Sequence, residues 1–252
     1  MKRLIGIILI SGGFVGLFLI VFYFNENQHN EVDSTPQDNV SHNADSGKVT
    51  EITNDDELVI GDLLISYDLA VPFTSQAPYS KWELPYQEFC EEAALLMVHA
   101  YHDGFDLPDP ATEDKLLNEI KTWEENHFGF YKDTTAEETA EILREMYGYK
   151  KVKVSDDVTV SNIKFQITNN RPVIIPSYGR GLGNPNFTDP GPLYHMLVVR
   201  GFNETHFITN DPGTRLGESF TYPYDVLISA AHDWNDGDVE NGAKKIIIVY
   251  PN

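Results

Sequence analysis

From Leu4 to Phe24 the chain runs 21 residues without a charge and with almost no polarity beyond Ser11. As a helix rising ~1.5 Å per residue, such a run is about 30 Å long, the thickness of a bilayer's hydrocarbon core. It outlasts the roughly 7–15 apolar residues of a cleaved signal peptide, and no Ala-x-Ala-like site follows it. Lys2 and Arg3 precede the run, and Tyr23 and Phe24 stand where interfacial aromatics would. The pattern predicts a retained anchor with a cytoplasmic N-terminus, so the remainder should lie outside the cell membrane.

Composition then changes sharply. Between residues 25 and 57 there are nine acidic residues against one lysine, with Asn, Ser, Gln and His between them and no apolar period. Such a stretch cannot offset its ordering entropy by burial and reads as a solvated stalk. The expected organisation is a membrane anchor at 1–24, an acidic stalk at 25–57 and one folded domain at 58–252.

Charge and cysteine count exclude several functions. A formal charge of -21 disfavours binding to nucleic acid, whose phosphates it would repel. One cysteine, Cys90, excludes a disulfide framework and a cysteine-based zinc site within one chain. His99 and His102, with Asp103 or Asp106, could suggest a metal cluster, but one helix face and no further histidine argue against it. No metal or cofactor is expected.

Glu91 to Tyr101 predicts an almost wholly apolar, centrally buried helix. Further helices are expected at Glu113 to Glu125, at Ala136 to Tyr147 after the capping-box-like Thr134-Thr135, and, with a weaker pattern, at Val158 to Thr168. Leu58 to Ile65 reads as a hairpin about Gly61-Asp62, and Val71-Pro72-Phe73 as the start of an extended segment. In the second half, short β-branched runs at 172–176, 196–199, 206–209 and 246–250 alternate with turns. Helices first and strands later predict an α+β fold with a mostly antiparallel sheet.

Cys90 opens the buried helix, where the positive end of the macrodipole favours a thiolate. A thiolate nucleophile needs a base and a group to orient that base. His195 opens the apolar strand Met196 to Val199, and Asp211 closes the next strand, 211 − 195 = 16 residues on. A hairpin of that length could set the carboxylate beside the imidazole. The same residues also suit a buried hydrophobe, a strand-end histidine and a turn aspartate. Glu91 and Glu92 oppose the dipole, but as outward-facing, water-screened carboxylates they should leave Cys90 titrating below a free thiol. The glycine-rich Gly179 to Gly183 precedes no helix and predicts a cleft wall, with Tyr178 and Phe187 as substrate contacts.

The order Cys, His, Asp resembles the bacteriocin-processing (double-glycine leader) peptidase-like family of papain-like cysteine peptidases. The matching stretches are Val71 to Gln76, Cys90 to Met97, Leu193 to Phe202 and Ile208 to Gly213, and the resemblance covers roughly Leu64 to Tyr250, nearly the whole folded part. The resemblance implies a papain-like fold with Cys90 as nucleophile, His195 as base, Asp211 as its orienter and Gln76 as oxyanion donor. Gln87, nearer to the cysteine, is the competitor for the last role. It also implies a peptide or protein substrate. Transglutaminase-type acyl transfer, cell-wall amide cleavage and a non-enzymatic peptide-binding module are the competing activities.

Overall fold

The computed structural model describes residues 64–252. The predicted membrane anchor, the stalk and most of the predicted hairpin lie outside these residues; Leu64 and Ile65, its described end, are exposed and in no strand. Among the described residues no helix is long and apolar enough to cross a membrane.

Three helices come first: α1 (Cys90–Asp103), α2 (Pro110–His127) and α3 (Ala136–Glu145). Asp109 caps α2 by accepting from the Ala111 and Thr112 amides, with Pro110 at the first helical position. Thr135 and Glu138 form the capping box of α3. Helices α2 and α3 begin where their cap chemistry requires, whereas Phe89 before α1 supplies no side-chain cap. Helix α1 ends at Gly104, whose φ of 73° is the left-handed conformation glycine adopts without a Cβ penalty.

The later chain forms strands β2 (Val152–Ser155), β3 (Val173–Tyr178), β4 (Tyr194–Phe202), β5 (His206–Asn210), β6 (Phe220–Pro223) and β7 (Ile246–Val249), with helices α4 (Val160–Thr168) and α5 (Tyr224–Ala230) between them. The sheet order is β2-β7-β3-β4-β5-β6, and a two-residue strand β1 (Tyr67–Asp68) pairs with the end of β4. Every pairing is antiparallel. The α+β expectation therefore holds, and strands β2 and β6 and helix α5 extend it.

Helix α1 is the pivot. Ala93 to Val98 are all at 0% exposure, and the helix packs against β4 and β3 on one side and α2 and α3 on others. A helix that is apolar all round must be surrounded, and this one is. Its first residue, Cys90, is thereby fixed against the middle of the sheet. The predicted extended segment at Val71 is in no strand, but Leu69 donates to the Arg200 carbonyl and Asn210 Nδ2 donates to the carbonyls of Val71 and Pro72.

Candidate active site

Strand β4 begins at Tyr194, so His195 is its second residue and is only 1% exposed. The antiparallel register sets Val198 opposite Asn210. Continued outward, that pairing carries His195 to the turn that follows β5. There His195 Nε2 meets Asp211 Oδ1 at 2.7 Å. A carboxylate can only accept, so Nε2 carries the proton and Nδ1 is left as the basic nitrogen of the neutral ring.

Asp211 is held from every side. Oδ1 also accepts from the Gly213 amide at 3.0 Å; Oδ2 accepts from Tyr222 Oη at 2.5 Å and from Asn184 Nδ2 at 3.0 Å. Burial pushes this carboxyl up, but His195, Tyr222 and the Gly213 amide more than offset it, and the group lies below the ordinary aspartate range. The ionised form is thus the stable one, as an imidazole orienter requires.

Space is tight around the ring. A Cβ on Gly213 would stand 2.8 Å from His195 Cε1, and Phe187 packs edge-on with centroids 5.3 Å apart. Gly217 is more constrained still, since a Cβ there would fall 1.7 Å from the Asp211 carbonyl oxygen. That closeness accompanies the Asp211 amide donating to the Gly217 carbonyl at 2.9 Å. The two glycines let the chain fold tightly around the aspartate.

Cys90, His195, Gln76 and Gln87, four residues singled out in the sequence, line one cleft of about 780 Å³. Asp211 stands behind them, on the imidazole. Gln76 is 4% exposed; its Nε2 donates to the Tyr86 carbonyl at 3.0 Å, and its Oε1 is buried without a partner. Gln87 is exposed and donates to Glu88 at 3.1 Å. Trp82 and Leu216, exposed at 39% and 69%, are among the lining residues, as is Phe187, as anticipated. Tyr178 does not line it. The η-turn at Gly179–Leu182 carries the chain away before Phe187 returns.

One electrostatic expectation is overturned. Glu91 and Glu92 do not face solvent; they are 1% and 0% exposed. The thiol is pushed well above the ordinary cysteine range, first by its own burial, then by Glu91 and Glu92, with the Met196 amide of β4 pulling weakly the other way. Desolvation of the sulfur outweighs the helix dipole that the position alone would suggest.

Two contributors escaped the sequence reading. Tyr222 sits in β6, whose Phe-Thr-Tyr alternation is a period-2 signal too short to stand out. Asn184 follows the glycine-rich turn, and nothing in its neighbourhood marks it. Its Nδ2 donates to both Asp211 and Tyr222 Oη, the latter at 2.7 Å.

Comparison with known proteins adds the following. The family model described as the Peptidase_C39 like family matches residues 68–236. A crystal structure described as a C39-like peptidase from Bacillus anthracis is similar at 19% identity with a TM-score of 0.49, covering 73% of this chain and 98% of that one. No curated protein sequence matches.

Proposed function

The chain belongs to the Peptidase_C39 like family of cysteine peptidases, and from that membership and the cleft geometry we propose that it hydrolyses peptide bonds through Cys90, His195 and Asp211. The observation that carries this is the 2.7 Å contact of His195 Nε2 with a fully buried Asp211, in a cleft that Cys90 shares. The contact leaves Nδ1 to accept the thiol proton. Sγ then attacks the substrate carbonyl carbon, and negative charge develops on its oxygen. Gln76 Nε2 has a second hydrogen beyond the one given to Tyr86, and the Cys90 amide at the first helical position has no intrahelical acceptor. These two donors are suited to that oxygen. As the C–N bond breaks, the leaving amine takes the proton from Nδ1. Water, deprotonated by the same nitrogen, cleaves the thioester and restores the thiol.

The substrate class is a peptide or protein. The Leu4 to Phe24 run supports a location at the cell membrane, anchored once, with the peptidase domain outside. A second reading, a peptide-binding module without turnover, draws on the buried thiol's raised pKa. An epoxide or vinyl-sulfone probe separates them. Wild type should label covalently and Cys90→Ala should not, while His195→Ala should label far more slowly. Absence of labelling on folded wild type, together with no cleavage of a peptide library, would remove the peptidase reading.

A further inference from the structure

The residue after Cys90 makes a contact that the triad does not require. Cys90 Sγ donates to Glu91 Oε2 at 3.0 Å, and both residues are buried. The other oxygen, Glu91 Oε1, is buried with no partner. No ion pair reaches Glu91, Glu92 or Glu124 among the described residues. A thiol proton in this cleft therefore already has an acceptor, and it is not the imidazole.

We propose that Glu91 is a latch on the nucleophile, holding Cys90 as a neutral, hydrogen-bonded thiol until His195 takes its proton, so that reaction with electrophiles is slowed but not abolished. The inference rests on Cys90 being the nucleophile of the proposed reaction. In the activating step the S–H bond breaks, the proton passes to His195 Nδ1 and the electron pair remains on sulfur. Glu91 neither gains nor loses a proton. It acts through Cys90 and is a positioning residue.

The surroundings keep the latch closed on both sides of neutrality. The groups that bear on the pair are Glu92 on the same helix, Glu124 from α2, Glu88 at the end of the 3-10 turn Tyr86–Glu88, Asp133 from the loop before α3, and Tyr194 from β4. These are acids or a phenol and bring no positive charge to the sulfur; the one basic group of the proposed site in the same cleft is His195 of β4, which is charged only once it has taken the thiol proton. Burial pushes the Glu91 carboxyl up to about 8; the bond from Cys90 partly offsets this, and Asp133 and Glu88 add to the rise. Below that pH the pair is neutral on both members, and a carboxyl without charge still accepts from S–H. Above it Glu91 ionises first, and a negative charge 3.0 Å from sulfur opposes the thiolate more strongly.

The test uses full-length protein, iodoacetamide and the fact that Cys90 is the sole cysteine. Glu91→Gln keeps the shape, removes the ionisable group and offers an N–H to the thiolate. Its alkylation rate at pH 8 should exceed that of wild type by about 10-fold or more, since one pKa unit is a factor of 10 in thiolate, and its pH midpoint should fall. An equal or slower rate, or an unmoved midpoint, would overturn the latch. Should Glu91→Gln not fold, the wild-type S–H stretching band in the Raman spectrum decides. A band shifted from that of a free thiol, and shifted further as pH passes about 8, supports the contact; an unshifted band refutes it. Failure of the peptidase reading looks different. Probe labelling and peptide turnover would then be absent, while the contrast between wild type and Glu91→Gln in alkylation would persist.

Discussion

Replacing Glu124 by Gln should stabilise the protein, and the gain should grow with pH. Glu124 is 0% exposed on α2, both of its oxygens lack a partner, and it faces the equally buried Glu92. Burial lifts its carboxyl from 4.5 to about 9; the neighbouring Glu92 eases this, and Glu91 reinforces it. The folded pKa is raised, so the native carboxyl's contribution is intact below 4.5 and is lost as pH rises towards 9. At pH 7 the unfolded chain has released this proton and the folded one still holds it. Folding must take the proton up against 7 − 4.5 = 2.5 pH units, which at 1.36 kcal/mol per unit costs about 3 kcal/mol. That figure does not depend on where above 7 the folded value lies. Glutamine copies the neutral acid and carries no such cost. Urea unfolding at pH 5, 7 and 8 should therefore show Glu124→Gln gaining under about 1 kcal/mol at the first and roughly 3 kcal/mol at the second, less whatever Glu92 readjusts. A variant that is destabilised by the same amount at all three pH values would refute the reasoning, because the carboxyl would then be ionised and paired in the native state.

Other changes read the site directly. Tyr222→Phe removes one of the two donors on Asp211 Oδ2; kcat/KM should fall roughly 10-fold or more, from about 1.5–3 kcal/mol for a bond to a charged group, and its acid inflection should move to higher pH. Gly213→Ala would press a methyl group to 2.8 Å from His195 Cε1, so turnover should collapse while thermal unfolding shifts little; unchanged turnover would show that the ring is free to yield. Gln76→Ala should lower kcat by roughly 100-fold, as lost oxyanion donors do, with Gln87→Ala much milder. The reverse order in a peptidase assay would reassign the donor to Gln87.

The elements that sequence reading located are those whose chemistry is local. Caps at Thr135 and the apolar run at 93–98 fixed their helices because cap and burial signals lie within a few residues. His195 and Asp211 could be paired because one hairpin separates them. Tyr222 and Asn184 could not be found this way. Tyr222 is only 11 residues from Asp211 but lies in a four-residue strand too short to show a period, and Asn184 is 27 residues away in the loop before β4. The charge state of Cys90 was misjudged for a related reason. A sequence shows that two glutamates follow the cysteine, but whether they face water depends on α2 and β4 closing over them. Helix position gives the sign of the dipole; only the tertiary shell decides how much solvent remains to compete with it.

The Pro212 carbonyl accepts from both the Gln76 amide, at 3.0 Å, and Ser75 Oγ, at 3.3 Å. Those partners are separated by 137 residues for Ser75, and Pro212 directly follows the aspartate that orients the imidazole. During synthesis Cys90 and Gln76 emerge early, whereas Pro212, whose carbonyl accepts from the Gln76 amide, is made later. A ribosome-bound chain that has not reached Asp211 carries Cys90 and the Gln76–Tyr86 contact but lacks the Pro212 carbonyl on the Gln76 amide and the carboxylate on His195. The proposed site thus draws on the first and last thirds of the described chain, and the contacts that complete it form only after both have been made.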